Sequence, residues 1–307
     1  MSNDRRDFLK KAGLIAGGLT LLSPSSFLFA DDKEKKAFDF KISLAQWSFH
    51  KALFSNKMTP LDFAAKAKND YGIEAVEYVN QFFKDKAKDM DFLKSLKQRA
   101  DDNGVRSVLI MVDEEGPLAS PKKDVRDKAV EKHYKWVDAA KFLGCHAIRV
   151  NLKGDASAED WQKAAVEGLG KLTEYGAKNE MNIIVENHGG FSSNGKLLAE
   201  IIKQVNNKRC GTLPDFGNFK ISPTESYDRY LGTQELMPYA KGVSAKTFDF
   251  DANGNETTID YMKIMKIVKD AGYSSYIGIE YEGEHLSEED GVRATLNLLK
   301  KVKAELV

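Results

Sequence analysis

Residues 183–190 read IIVENHGG, in which three β-branched apolar residues lead directly into a carboxylate, an amide, an imidazole and two glycines. A short apolar run with an abrupt polar end is typical of a buried strand. The longer segments on either side of it are amphipathic, as helices of a layered fold are. This stretch therefore predicts one strand-and-helix unit of an alternating fold.

The same alternation recurs through the chain. Strands are predicted to begin near Ile42, Ile73, Val105, Ala147, Ile183, Thr212, Val243 and Ile277. Neighbouring starts lie 29 to 42 residues apart, about the length of one βα unit. We predict an α/β protein in which eight such units close into a single (β/α)8 TIM barrel, and the alternative is a doubly wound open sheet.

The composition is that of a folded globular protein. Of the 307 residues, 42% are apolar and 30% are charged, and the length suits a barrel of about 250 residues with an N-terminal extension. The 46 basic residues balance the 46 acidic ones, so we expect no nucleic-acid partner. The sequence also lacks the GxGxxG motif and the phosphate loop that nucleotide sites use.

The first thirty residues carry a signal pattern. Arg5 and Arg6 are followed by DFLK and by an apolar, glycine-containing stretch over residues 12–22. The pattern resembles a twin-arginine signal, and the stretch is shorter than the about 20 residues of a membrane span. We predict a signal over residues 1–30 and a barrel over residues 31–307. The twin-arginine export machinery would deliver the chain to the periplasm, with no stable membrane span in the mature protein.

Carboxylates follow three of the predicted strands. Glu186 ends the fifth strand, Asp215 follows the sixth and Glu280 lies in the eighth. A barrel gathers the carboxyl ends of its strands at one mouth, where three carboxylates repel one another unless they are protonated or bound to a cation. We predict a divalent cation, either Mg²⁺ or Mn²⁺ with oxygen ligands, or Zn²⁺ or Co²⁺ if an imidazole joins them.

Other polar and aromatic side chains lie at the same ends of the strands. Because strand residues two apart share a face, His188 is expected to lie beside Glu186, and Lys246 beside Ser244. Lys246 would then place a positive charge where the charge of a metal would otherwise act. The residues predicted to contact a substrate are Trp47, His50, Arg149, Asn151, Asn218, Ser244 and Glu282.

Three motifs together resemble the xylose-isomerase-like sugar phosphate isomerase/epimerase superfamily over residues 38–307. They are ENHGG (186–190), PDFGNF (214–219) and IGIEYEG (277–283). The resemblance implies a TIM barrel with Glu186, Asp215 and Glu280 as metal ligands. Two positions depart from the pattern, because Ser244 and Asn218 stand where the family often has histidine. The metal would then be bound by three carboxylates and water, or by the carboxylates with His188 as a further ligand, or the site would bind metal weakly.

The resemblance implies a sugar isomerase or epimerase that removes a proton beside a carbonyl. Glu186 is predicted as the base and Glu280 as the acid, while Lys246 or His188 stabilises the enediolate. A free or keto-type sugar or a glycoside is expected as the small-molecule substrate. Two alternatives are a lyase that eliminates a leaving group from a keto-glycoside and a non-catalytic, secreted carbohydrate-binding barrel. Five histidines and zero net charge disfavour the DNA-repair endonuclease known on this fold.

A long segment follows the sixth strand. Residues 221–239 read ISPTESYDRYLGTQELMPY and are predicted to contain a short helix near the mouth of the barrel. Such a segment serves as a lid or as a contact between copies of the chain in a homo-oligomer.

Overall fold

The computed structural model describes residues 38–306, so the predicted signal segment lies outside the described residues. The eight strands are β1 (Lys41–Ala45), β2 (Ala75–Val79), β3 (Arg106–Val112), β4 (Ala147–Val150), β5 (Asn182–Glu186), β6 (Cys210–Leu213), β7 (Val243–Thr247) and β8 (Tyr276–Tyr281). Each begins within two residues of its predicted start. The local hydrophobic pattern therefore located every one of these strands.

The helices that alternate with these strands cover the sheet. They are α1 (His50–Phe54), α2 (Phe63–Tyr71), α3 (Met90–Asp102), α4 (Lys123–Leu143), α5 (Ala158–Lys178), α6 (Gly195–Val205), α7 (Arg229–Leu236), α8 (Tyr261–Asp270) and α9 (Glu288–Glu305). Within residues 38–306, no helix is both long enough and apolar enough to cross a bilayer.

The strands are parallel and follow the order β6-β5-β4-β3-β2-β1-β8-β7. Parallel bridges also join Thr212 to Ala240 and Asp215 to Ser244, so the sheet curls until β6 meets β7. The amide of Ser244 donates to the carbonyl of Pro214 at 2.9 Å across this junction. This order and curvature confirm the (β/α)8 barrel and exclude the open doubly wound sheet.

Helix ends follow the local sequence signals. The Ser157 hydroxyl accepts a hydrogen bond from the Asp160 amide at the start of α5, which satisfies one free donor of the first turn. Gly144 ends α4 with φ of +79°, in the left-handed region that side chains other than hydrogen disfavour. Caps of these two kinds mark where the chain enters a helix and where it leaves the helix for the next strand.

The first strand is shorter than its apolar run suggests. β1 ends at Ala45, and residues Gln46–Phe49 form a 3-10 turn. The buried side chain of Gln46 accepts the Val79 amide at 2.9 Å, which replaces a ladder bond that β1 would otherwise make to β2. The chain therefore leaves the sheet before Trp47, which stands on this turn at the mouth of the barrel.

Candidate functional site

Four ionisable side chains meet at the mouth of the barrel. Glu186 ends β5, Asp215 follows β6, Lys246 lies in β7 and Glu280 lies in β8; we call these four residues the central cluster. Each is at most 4% exposed. Burial of this many charges is costly unless they compensate one another, so their pairing determines what the site can do.

Lys246 stands between three acidic side chains, two from β8 and its end and one from the end of β6. Its Nζ lies 3.0 Å from Glu280 Oε1, 3.0 Å from Glu282 Oε2 and 3.8 Å from Asp215 Oδ2. Ser244 donates its hydroxyl to the other oxygen of Glu280 at 2.8 Å. Both oxygens of Glu280 therefore accept hydrogen bonds, and the ammonium is the positive centre of the cluster.

Asp215 is held by the backbone that follows it. Its Oδ1 accepts the amides of Gly217 and Asn218, each at 2.8 Å, while Oδ2 has no hydrogen-bond partner among the described residues. Asn187 donates to the Asp215 carbonyl at 2.9 Å and accepts its amide at 2.8 Å. These bonds fasten the loop after β5 to the loop after β6 and aim Oδ2 at Lys246.

Glu186 has a different cation for its partner. Arg149 Nε lies 2.8 Å from Glu186 Oε2, and Asn218 donates its amide hydrogen to Glu186 Oε1 at 2.9 Å. Arg149 is buried, so its guanidinium is available to groups inside the site and not to bulk solvent. The site thus contains two acid–cation units, one built on Arg149 beside the central cluster and one on Lys246 within it.

Asp113 was missed in the sequence analysis. It follows β3 directly, and its Oδ1 accepts hydrogen bonds from Arg149 Nη1 at 2.7 Å and from Asn151 Nδ2 at 2.6 Å. The rule that singled out Glu186, a polar residue at the end of an apolar run, also applies to Asp113 in the stretch VRSVLIMVDEEG. Asp113 orients the guanidinium that faces Glu186.

The carboxyl groups of the cluster differ in protonation. Burial raises the pKa of Glu186 and of Asp215 well above the ordinary carboxyl range. Burial also opposes ionisation of Glu280, but the charges of Lys246 and Arg149 and the bonds from Ser244 and Lys246 hold the pKa of Glu280 below its ordinary value. Although burial disfavours the ammonium, the surrounding carboxylates keep the pKa of Lys246 high. At neutral pH, Glu280 is therefore ionised and Glu186 retains a proton more readily.

Glu77 is a second buried acid that sequence reasoning missed, because it lies within the apolar run AVEYV of β2. It is 1% exposed and accepts the Ser43 hydroxyl at 2.6 Å. A Cβ placed on Gly278 would come within 2.7 Å of its carboxyl oxygens, so the glycine of β8 makes room for this group. Burial raises the pKa of Glu77 to about 8. The acid is therefore protonated in the folded protein at neutral pH.

We expect Glu77→Gln to stabilise the protein at alkaline pH. The pKa of Glu77 is about 8 in the folded protein and 4.5 in the unfolded chain, so the folded protein holds the proton more tightly. This stabilisation is fully present below pH 4.5 and is lost as the pH rises to 8. The loss in the natural protein is on the order of 5 kcal/mol across this range, and glutamine removes it. Urea unfolding at about pH 5 and about pH 9 measures the difference. Equal pH dependence in both proteins would contradict the assignment, and Glu74→Gln, an exposed change beside β2, is the control.

His188 does not share the buried position of Glu186. β5 ends at Glu186, and the chain turns away at Gly189 and Gly190, whose φ values are +82° and +60°. The His188 side chain reaches an open cavity of about 720 Å³, which Asn151, Phe191 and residues 152–156 also line. Desolvation of the ring by the surrounding groups, together with the charge of Arg149, lowers the pKa of His188. His188 and Asn151 thus face the space beside the central cluster.

Trp47 and His50 lie on the opposite side of the mouth. The Trp47 ring stacks on His50 at 5.0 Å and on Phe82 at 5.9 Å between centroids, and its indole N–H donates to Glu282. His50 Nδ1 lies 2.9 Å from the Trp47 carbonyl, so its ring is tied to the 3-10 turn. Of these two predicted contact residues, Trp47 is joined through Glu282 to Lys246, whereas His50 supports the indole from the outer side.

The central cluster as arranged does not fit a divalent cation. Within residues 38–306, no group of three or more His, Cys, Asp or Glu side chains has the spacing to hold a metal ion. The Lys246 ammonium stands between Asp215 and Glu280, and Arg149 faces Glu186, so each predicted ligand already has a cation. A divalent ion needs oxygen atoms at about 2.0–2.6 Å from one point, which the ammonium excludes.

Comparison with known sequences identifies a family. Residues 64–302 match the family model of the xylose isomerase-like TIM barrel. Two proteins of Arthrobacter globiformis, each a C-glycoside deglycosidase alpha subunit, are 36% identical over 67 residues and 29% identical over 124 residues. These matches cover 22% and 36% of this chain. The chain spans only 19% and 32% of the length of these curated relatives, so the matches concern part of each protein.

Solved structures share the fold. The IOLI protein with a bound zinc atom has a TM-score of 0.69 at 13% identity, over 87% of this chain and 99% of that one. The 3-keto-D-glucoside 4-epimerase from E. coli has a TM-score of 0.64 at 14% identity, over 87% of this chain and all of that one. At such identities the likeness establishes the barrel alone. The zinc belongs to that structural neighbour.

Proposed function

We propose, since this chain belongs to the xylose isomerase-like TIM barrel family, that it is a sugar isomerase or epimerase. The reaction would remove a proton from a carbon beside a carbonyl and return a proton to the resulting enediolate. The main observation in support of this proposal is that two buried acids in one site, Glu280 and Glu186, have pKa values that are shifted in opposite directions.

Opposite protonation states suit two-group proton transfer. One acid must begin ionised to accept a proton and the other must begin protonated to donate one. The environment of Glu280 favours the carboxylate, and that of Glu186 favours the acid. We therefore assign Glu280 as the initial base and Glu186 as the initial acid, which reverses the order that the sequence suggested; the reverse reaction exchanges the two roles.

Two fixed cations support the negative charge that develops. Removal of the proton places charge on the former carbonyl oxygen, and buried donors aimed at such an oxygen lower the barrier. Lys246 in the central cluster and Arg149 beside it are buried cations, and each is already oriented by carboxylates. We propose that substrate oxygens take up hydrogen bonds from these two side chains, with Asn218 as a further donor.

The adjoining cavity supports a substrate larger than one free sugar. Its volume of about 720 Å³ lies in the range of pockets that enclose drug-sized ligands. Its walls combine the polar groups of His188 and Asn151 with the apolar surfaces of Phe191 and Ile221. We propose that a keto-glycoside places its sugar ring at the central cluster and its second group in this cavity.

Elimination from a keto-glycoside is the second candidate. The relatives in Arthrobacter globiformis are named for deglycosidase activity. In this reaction Glu280 would take the proton beside the carbonyl while Glu186 protonates the leaving oxygen or carbon as its bond to the sugar breaks. Both reactions need the same pair of acids, and they differ in what the enediolate does next.

Proton exchange in heavy water tests the proposal. We expect deuterium at the carbon beside the carbonyl when the protein is incubated with a 3-keto-glucoside or a free ketohexose and followed by NMR. A new epimer or isomer identifies the first candidate, and release of the second group identifies elimination. Sugar binding without exchange on either substrate would contradict an enzyme and favour the carbohydrate-binding alternative.

The location proposed for this activity is the periplasm. The support is the Arg5-Arg6 motif with its short apolar stretch, which lie outside the described residues. Environmental glycosides are accessible there.

A further inference from the structure

We propose that the Lys246 ammonium is the resident cation of the central cluster, in the position where its carboxylates would otherwise hold a divalent metal ion. The chain then needs no bound metal to hold these acids together. The inference depends on the proposed function only for the role of this charge in turnover, because the position of the cation is a property of the folded chain.

The first support is the set of distances around Nζ. A single nitrogen lies 3.0 Å from Glu280, 3.0 Å from Glu282 and 3.8 Å from Asp215. Three acidic side chains from the loop after β6 and from β8 and its end thus face one ammonium. The ammonium donates a hydrogen bond to Glu280 and forms ion pairs with Glu282 and, at longer range, with Asp215, so negative charge surrounds it on several sides.

The second support is the space made for the lysine stem. A Cβ on Gly217 would lie 2.6 Å from Lys246 Cγ and 3.0 Å from the Phe248 ring, so only glycine leaves room for the stem beside Asp215. The Lys246 carbonyl accepts the Tyr261 hydroxyl at 2.7 Å, which fixes the backbone beneath the side chain. The lysine is therefore seated in a fitted channel and does not extend into open solvent.

The third support is the chemistry of Ser244. It shares the face of Lys246 on β7, and its hydroxyl donates a hydrogen bond to Glu280 at 2.8 Å. The Ser244 hydroxyl acts here as a hydrogen-bond donor to the Glu280 carboxylate. A metal ligand at this position would instead offer a lone pair to the metal ion. Ser244 and Lys246 together satisfy both oxygens of Glu280.

Metal titration of the full chain tests this inference without any substrate. After dialysis against EDTA, we expect the natural protein to bind less than about 0.1 Mn²⁺ per chain and to keep its Tm within about 1 °C when Mn²⁺ is added. Lys246→Ala exposes the carboxylates to one another, so it should bind about one Mn²⁺ and gain at least about 5 °C in Tm, reversibly with EDTA.

A matched control removes a buried cation elsewhere. Arg126 is 4% exposed and pairs with Glu167 outside the cluster, so Arg126→Ala should lose stability without any response to Mn²⁺. If Lys246→Ala folds only with Mn²⁺ present, the inference is supported. About one tightly held metal per natural chain, or a natural Tm that falls in EDTA, would overturn it. A folded Lys246→Ala protein that ignores Mn²⁺ would equally overturn it.

Turnover separates this inference from the proposed function. Where proton exchange is detected, EDTA should leave its rate within about twofold, since Lys246 supplies the charge that a metal supplies elsewhere. If the metal titration gives the expected results but no proton exchange is detected, the proposed function is contradicted, whereas the assignment of Lys246 as the resident cation is still supported.

Discussion

Glu186→Gln is expected to lower kcat for proton exchange by about 10²–10⁴-fold, the usual contribution of a general acid or base. Glutamine keeps the size of the side chain and can still accept the Asn218 bond at Oε1, so sugar affinity should change by no more than about threefold. Steady-state kinetics with a direct binding measurement separate the two quantities. Unchanged kcat would show that Glu186 is no catalytic residue.

The pH profile adds a readout that a structural role would not produce. Because burial raises the pKa of Glu186, its proton remains available to higher pH than that of an ordinary carboxyl, and turnover should fall once that proton is lost. The alkaline limb that belongs to Glu186 should therefore vanish in Glu186→Gln. Glu174→Gln, an exposed change on α5, is the matched control and should retain both rate and profile.

Asp113→Ala is expected to destabilise the fold by about 3–5 kcal/mol, because it leaves one side of the buried Arg149 guanidinium without its partner. The same change releases the side chain of Asn151, so kcat/KM should also fall. Urea unfolding and steady-state kinetics measure the two effects. The activity loss should exceed any change in sugar affinity, since Arg149 faces Glu186 within the reacting cluster.

A double-mutant cycle identifies the cause of this loss. Asp113→Ala combined with Arg149→Leu should cost less than the sum of the single changes, with a coupling of about 1–3 kcal/mol. Additive costs would contradict the pairing. Glu167→Ala is the control, because it removes an exposed carboxylate that pairs with the buried Arg126. Solvent screens this pair, so the change should lower the free energy of unfolding by about 1 kcal/mol or less.

The strand ends were the informative part of the sequence. The spacing of apolar runs located each strand of the barrel, and the rule that polar residues at their carboxyl ends face the mouth selected Glu186, Asp215 and Glu280. The same rule covered Asp113, which was not selected. It did not cover Glu77, because a carboxyl inside an apolar run shows no local sign of being protonated and buried.

The position of His188 depends on where β5 ends. Alternation of side chains holds only while the chain stays extended, and β5 ends at Glu186. His188 comes two residues after the end of the strand, and its side chain lines the neighbouring cavity. The His188 amide donates to the Ser192 hydroxyl four residues further on, a local bond that holds this turn.

The sequence by itself determined the barrel and three of the acids at its mouth, Glu186, Asp215 and Glu280, because strand periodicity and strand-end polarity are local properties of short segments. Only the tertiary structure decided which cation each acid meets. Lys246 and Glu280 are 34 residues apart in the chain and 3.0 Å apart in space, and that approach depends on the register between β7 and β8. The protonation states of Glu186 and Glu280 also depend on the tertiary structure, because burial and the distances between charges are set only in the folded chain.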